Sequence, residues 1–260
     1  MAAPKWARRL WIYQRYVHGN LIGGLVVALM VLVPVHAAAA VFLAPALMLH
    51  TGALGPGFGV VTGLTGLILV FLVVFLVASF AGDLSGGGAQ LFLSQPISRT
   101  VYAATWLLAT VATPTLIYIL SLALPLLIID PRLLNAVGFT DIGLSVLEVL
   151  EVGSLLFLIA SVTRSRAAVV VLGLFLEFLL PWIVFIPLAM LTAVSGGQIQ
   201  ALRPLIAVYL VFYPSKLPLF SSGPYGAPLT PRQAAAAALA LTAAYWAAAL
   251  VYAKRRMEVR

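Results

Sequence analysis

Long apolar blocks dominate the chain, in place of stripes at helix or strand spacing. Six stand out: Leu21–Leu49, Gly59–Ala81, Val101–Ile129, Ile142–Thr163, Ala167–Val194 and Ala234–Ala253. A helix needs about 20 apolar residues to cross about 30 Å of hydrocarbon, and a segment apolar on every side has no face to turn to water. The pattern predicts an all-α polytopic membrane protein with six transmembrane helices. The first, third and fifth blocks are long enough to tilt or to extend beyond the bilayer. Pro34 and Pro45 are expected to kink the first.

Two stretches depart from this pattern. In residues 4–18, Trp6, Leu10, Tyr13 and Val17 share one narrow helical face, with Lys5, Arg8, Arg9 and Arg15 opposite. That predicts an N-terminal amphipathic interfacial helix in the headgroup layer, either a topology anchor or a lever joining a partner to the first span. Its basic region is too long for a signal peptide, so it is expected to be retained. The other stretch is residues 195–232, rich in Gly and Pro. Its apolar run Ile206–Tyr213 lies between Arg203 and Lys216, and the twelve residues between those two cations reach only about 18 Å as a helix, too short to cross. It is expected to form an outer re-entrant or interfacial segment before the last span.

Composition removes the soluble alternative. Of 260 residues, 63% are hydrophobic and 8% charged, against about 25% charged in a soluble domain. The net charge of +8 would suggest nucleic acid in a soluble protein. Here the cations sit between apolar blocks and read as topology signals and contacts to anionic membrane lipids, with no nucleic-acid partner expected. Placing the N-terminus inside puts eleven Lys and Arg on the inner segments and four (Arg132, Arg203, Lys216, Arg232) on the outer ones. The positive-inside bias predicts a multi-pass cell-membrane protein with cytoplasmic N- and C-termini. The absence of cysteine excludes disulfides and thiolate metal sites.

The loop at residues 82–100 is the most informative. Gly86, Gly87 and Gly88 loosen the backbone, a short amphipathic piece Gln90–Ser94 follows, and Pro96 and Arg99 precede the third span. Leu84–Gly88 reads LSGGG, like the signature of a cassette ATPase. The chain has no GxxxxGK[ST] phosphate loop, so the glycines read as a joint and ATP binding by this chain is not expected.

With Asp83 leaving the second span, and Leu93, Ser94, Pro96, Ile97, Ser98 and Arg99 running into the third, the loop resembles the ABC transporter type-2 permease family. Ser161–Val171 is similar to that family's short inner turn between the fourth and fifth spans. The glycine run is a departure, since the family often carries charge there. The resemblance implies a second permease copy, two copies of a separate ABC ATPase subunit that binds the ATP, and outward transport. It implies no cofactor and no catalysis in this chain. The loop residues Gln90, Leu93, Ser94, Pro96, Ile97, Ser98 and Arg99, with the N-terminal helix, would then couple to the ATPase. A haem-exporter-like membrane subunit shares this architecture, and an intramembrane enzyme or scaffold is the alternative from another class.

Three carboxylates fall within spans: Glu148, Glu151 and Glu177. Burying each in hydrocarbon costs at least about 2.5 kcal/mol. Glu148 and Glu151 share a helical face, and counting residues puts Glu151 and Glu177 near the midplane, about 15 Å in from opposite ends. No Lys or Arg lies at that depth in any span. Either the carboxylates hold the bundle together through hydrogen bonds, or they line a path for a cation, a polar substrate or a proton. His18, His36 and His50 have no ligand spacing, and no metal site is expected. Gly63, Gly66 and Ala235–Ala237 are expected to permit close helix approach.

Overall fold

The computed structural model describes residues 5–48, 56–94, 97–129, 139–194, 202–221 and 227–256, and every regular element among them is helical. In chain order these are α1 (Lys5–Met48), α2 (Pro56–Ser85), α3 (Gly88–Leu93), α4 (Arg99–Leu107), α5 (Thr113–Ile129), α6 (Phe139–Thr163), α7 (Arg166–Leu174), α8 (Leu180–Val194), α9 (Arg203–Phe212), α10 (Leu217–Ser221) and α11 (Pro231–Arg256). Short π turns, Leu108–Ala112 and Phe175–Leu179, join α4 to α5 and α7 to α8, so each pair makes one long helix. A 3-10 turn, Pro214–Lys216, joins α9 to α10.

Six of these helices are long and apolar enough to cross a membrane: Leu21–Val41, Leu64–Ser85, Arg99–Ile129, Ile142–Thr163, Arg166–Leu188 and Pro231–Arg255. The chain is an all-α polytopic membrane protein. Between the fifth and sixth spans α9 has ten residues, about 15 Å, and does not cross.

The N-terminal stretch is helical but not a separate element. α1 runs 44 residues without a break, through Pro34 and Pro45, a length of about 66 Å. No proline separates residues 5–18 from the first span, and Gly19 and Asn20 weaken the helix there without ending it, so helix propagates across the junction with no second nucleation. Val17 is buried, and His18 Nε2 lies 2.9 Å from the Thr113 hydroxyl on the third span. The end of the basic stretch therefore packs into the bundle. Arg8 and Arg15 are exposed; the side chains of Trp6, Arg9, Leu10 and Tyr13 lie outside the described residues.

Both π turns have one cause. Pro114 and Pro181 each follow a π turn by two residues, and proline removes an N–H and crowds the carbonyl of the preceding turn. One residue of extra winding relieves the crowding, so the Thr113 N–H reaches back to the Leu108 carbonyl and the Leu180 N–H to the Phe175 carbonyl.

α2 and α6 form the centre, with 56% of each span's most apolar window buried, against 17% for the fifth span and 22% for the first and sixth. The more exposed spans are the ones with broad faces for lipid. Phe80 of α2 stacks on Phe157 of α6, centroids 4.4 Å apart, and meets Trp106 of α4 at a tilt, centroids 5.6 Å apart. Glycines bring the backbones together elsewhere than expected. A Cβ at Gly153 would meet Val73 at 2.7 Å, and one at Gly173 would meet Val74 at 2.8 Å, so α2 packs closely on both α6 and α7. At Gly66 the nearest atom would be the Tyr118 hydroxyl at 3.9 Å, an ordinary contact. On α11, Ala234, Ala238, Ala249 and Ala253 are fully buried, while Ala236 is exposed.

Candidate functional site

Glu148 and Glu151 occupy successive turns of α6, and both are buried. No cation comes from a neighbouring span. It comes from the segment between the fifth and sixth spans. The apolar face of α9 (Ile206, Tyr209, Leu210) clusters with Leu144, Leu188 and Ala234, which folds the segment into the bundle and sets the 3-10 turn against α6. Lys216 Nζ then lies 3.3 Å from Glu148 Oε1, and the Ser215 backbone N–H donates to Glu148 Oε2 at 2.9 Å. The depth count along the spans found no partner because it left out this infolded turn.

The same infolding explains a second contact. In a π turn the Leu176 carbonyl would accept from residue 181, but Pro181 has no N–H to give. The Tyr213 hydroxyl donates to that carbonyl instead, at 2.8 Å. The neighbouring Tyr209 hydroxyl donates to the Pro181 carbonyl at 3.4 Å. Burial first, then the carboxylates of Glu177 and Glu148, holds the Tyr213 hydroxyl above the ordinary tyrosine range, so it stays a donor.

The three carboxylates do not share one chamber. Glu148 and Glu177 line a cavity of about 330 Å³ with Lys216, Ser145, Gly66 and Tyr118. Glu151 lines a second, also about 330 Å³, whose walls are otherwise apolar apart from two tyrosines. Glu177 Oε2 and Glu151 Oε2 are shielded from solvent and have no hydrogen-bond partner among the described residues. His36 belongs to neither cavity. Buried, it lies 2.8 Å from the Thr65 hydroxyl through Nε2 and 3.3 Å from the Ser121 hydroxyl through Nδ1, knotting the first three spans together. Among the described residues no His, Asp and Glu group could hold a metal.

At the face where α2 ends, α3 stands apart from the spans. The chain leaves α2 through Gly86 and Gly87, and Gly87 takes φ +84°, a backbone that glycine adopts freely. Within α3, Ala89 is buried and Leu93 half-buried, while Gln90 is exposed, as is Ser94 just beyond. Pro96 lies outside the described residues. Ile97 and Ser98 are extended, and the Ser98 hydroxyl caps α4 by accepting from the Val101 N–H at 3.2 Å. Arg99, half-buried, starts α4. Asp83 organises this corner. It accepts from the Tyr102 hydroxyl of α4, and a Cβ at Gly88 would overlap its carboxylate. A Cβ at Gly82 would overlap the Arg166 guanidinium, which comes from the start of α7. Arg164 (φ 54°) and Ser165 make the two-residue turn before α7, with the Ser165 hydroxyl accepting from the Ala168 N–H.

Lys216, Tyr213, Tyr102 and Arg166 are thus functional candidates that reading along the spans did not single out. For Tyr213 the signal lay in Pro181, which orphans a carbonyl within a span that some distant donor has to supply. No protein-family model matches this chain, and no curated protein is similar to it.

Proposed function

We propose that the chain is the transmembrane permease subunit of an ATP-binding-cassette exporter, working as a pair of copies with two copies of a separate ATPase subunit. The observation that carries this reading is α3. It is a six-residue helix outside the spans, set between a Gly87 joint and a Ser98 cap. Gln90 and Ser94 face outward, and Asp83 sits at its base between α2 and α4. A rigid piece so placed receives a push from a soluble partner and delivers it to two spans at once. The Arg166 contact at Gly82 extends the same corner to the fifth span. ATP binding in the partner would rock these spans between two packings, a rigid-body change with no chemistry in this chain.

The resemblance of Asp83 and Leu93–Arg99 to type-2 permeases supports the same reading, as does the absence of a phosphate loop in the sequence. The eleven-to-four distribution of Lys and Arg supports α3 and both termini on the cytoplasmic side of a plasma membrane. Substrate then leaves outward.

The test is purification from native membranes. A nucleotide-hydrolysing subunit is expected to co-purify, and its hydrolysis to depend on this chain. Pro96→Ala and Arg99→Ala should leave assembly intact but break the dependence of transport on hydrolysis. Coupling unchanged in both variants would overturn the assignment of this loop.

A further inference from the structure

The second cavity, of about 330 Å³, is enclosed by α6, the α7–α8 helix and α9, and its chemistry is lopsided. Leu155, Val184, Val208 and Phe212 typify its walls. Val208 and Phe212 also present exposed apolar surface on α9, so the cavity communicates with the lipid-facing side of the helix. The hydroxyls of Tyr209 and Tyr213 are taken by the Pro181 and Leu176 carbonyls, which leaves their rings as lining. Glu151 supplies the only carboxylate. It is 2% exposed, and its Oε2 has no hydrogen-bond partner among the described residues. Lys216, on the turn that follows α9, is engaged by Glu148.

A buried carboxylate with an open oxygen is costly unless a cation or a donor reaches it. Apolar walls exclude a hydrated metal ion, which needs several oxygen ligands. Aromatic rings beside a carboxylate favour an organic cation, attracted by the ring faces as well as by the charge. The volume lies at the small end of ligand pockets, enough for a one- or two-ring molecule.

We infer that this cavity is a binding site for a hydrophobic organic monocation entering from the bilayer, whose ammonium group pairs with Glu151 while its apolar body fills the walls. The site belongs to this chain alone and does not depend on the export reading: it binds with no ATPase present.

The experiment uses the whole chain in nanodiscs of zwitterionic lipid, with empty nanodiscs as reference. The probe is radiolabelled phenylbutyl-trimethylammonium, compared with its uncharged isostere carrying carbon in place of nitrogen. Saturable binding of the ammonium and none of the isostere is expected. Glu151→Gln should weaken the ammonium about tenfold or more, the scale for losing the opposite charge of a partly desolvated ion pair. Leu180→Trp keeps the carboxylate and fills the cavity, and it should abolish binding; it also decides the matter if Glu151→Gln fails to fold. Equal binding of probe and isostere would make the cavity a plain lipid cleft and overturn the proposal. So would the absence of saturable binding, or full affinity in a well-folded Leu180→Trp protein.

Discussion

Lys216 is one-third exposed while its partner Glu148 is 3% exposed, and this asymmetry sets what each substitution does. Removing the lysine strands a carboxylate in a place where water does not reach. Lys216→Met should therefore cost about 2 kcal/mol, below the range for a fully buried pair because the lysine end is partly solvated. Glu148→Gln/Lys216→Met should recover much of that loss. Thermal unfolding in detergent, read as a double-mutant cycle, measures the coupling; a value under about 0.5 kcal/mol would mean the pair contributes nothing. Tyr213 poses a cleaner question. Tyr213→Phe leaves the Leu176 carbonyl without its donor and should cost about 1–3 kcal/mol. Pro181→Ala restores a backbone N–H, and in that background Tyr213→Phe should become nearly neutral. Equal losses in both backgrounds would refute the idea that the tyrosine substitutes for the missing proline N–H. That Glu148 and Glu151 would be buried was legible from their place inside an apolar run. Their different surroundings were not, because residues three apart on a helix still meet different neighbours once other elements pack on.

Elements behave as their hydrophobic pattern dictates, but joints between elements do not follow from it. The span limits come from apolar length, and each expected block overlaps one of the six spans, with the fourth, Ile142–Thr163, the same in both. The π turns and the unbroken α1 depend on which neighbour absorbs a proline's steric demand. The same holds for helix contacts. Gly153 and Gly173 sit at close approaches to α2, whereas Gly66 does not, and nothing in a sequence of small residues separates the two cases. Gly153→Val and Gly173→Val should each destabilise by about 1–3 kcal/mol through overpacking, seen as lowered melting temperature in detergent, while Gly66→Ala should change it little. A full melting temperature in Gly153→Val would show that Val73 can move aside. At the α6–α7 turn, Arg164 holds a left-handed backbone that costs a non-glycine residue about 1 kcal/mol. Arg164→Gly should raise stability by a comparable amount; a drop would mean the side chain holds the turn by contacts of its own.

At the scale of the whole molecule, the absence of cysteine makes topology directly measurable. Single-cysteine variants Gln90→Cys and Arg232→Cys are expected to react with a membrane-impermeant maleimide from opposite sides, the first only from the cytoplasm. Labelling of both from one side would break the six-span alternation, and labelling of Gln90→Cys from outside would invert the topology. What the chain decides by itself is that it lives in a bilayer and how many times it crosses. Those properties rest on the free energy of transferring contiguous residues into hydrocarbon, which sums along the chain without knowledge of the fold. Which carboxylate gains a lysine, which proline's lost hydrogen bond is filled by a tyrosine, and which glycine lies under a neighbouring valine belong to the tertiary structure. Each is a contact between residues far apart in the chain, 68 positions for Glu148 and Lys216, and its energy exists only once the helices have chosen their partners.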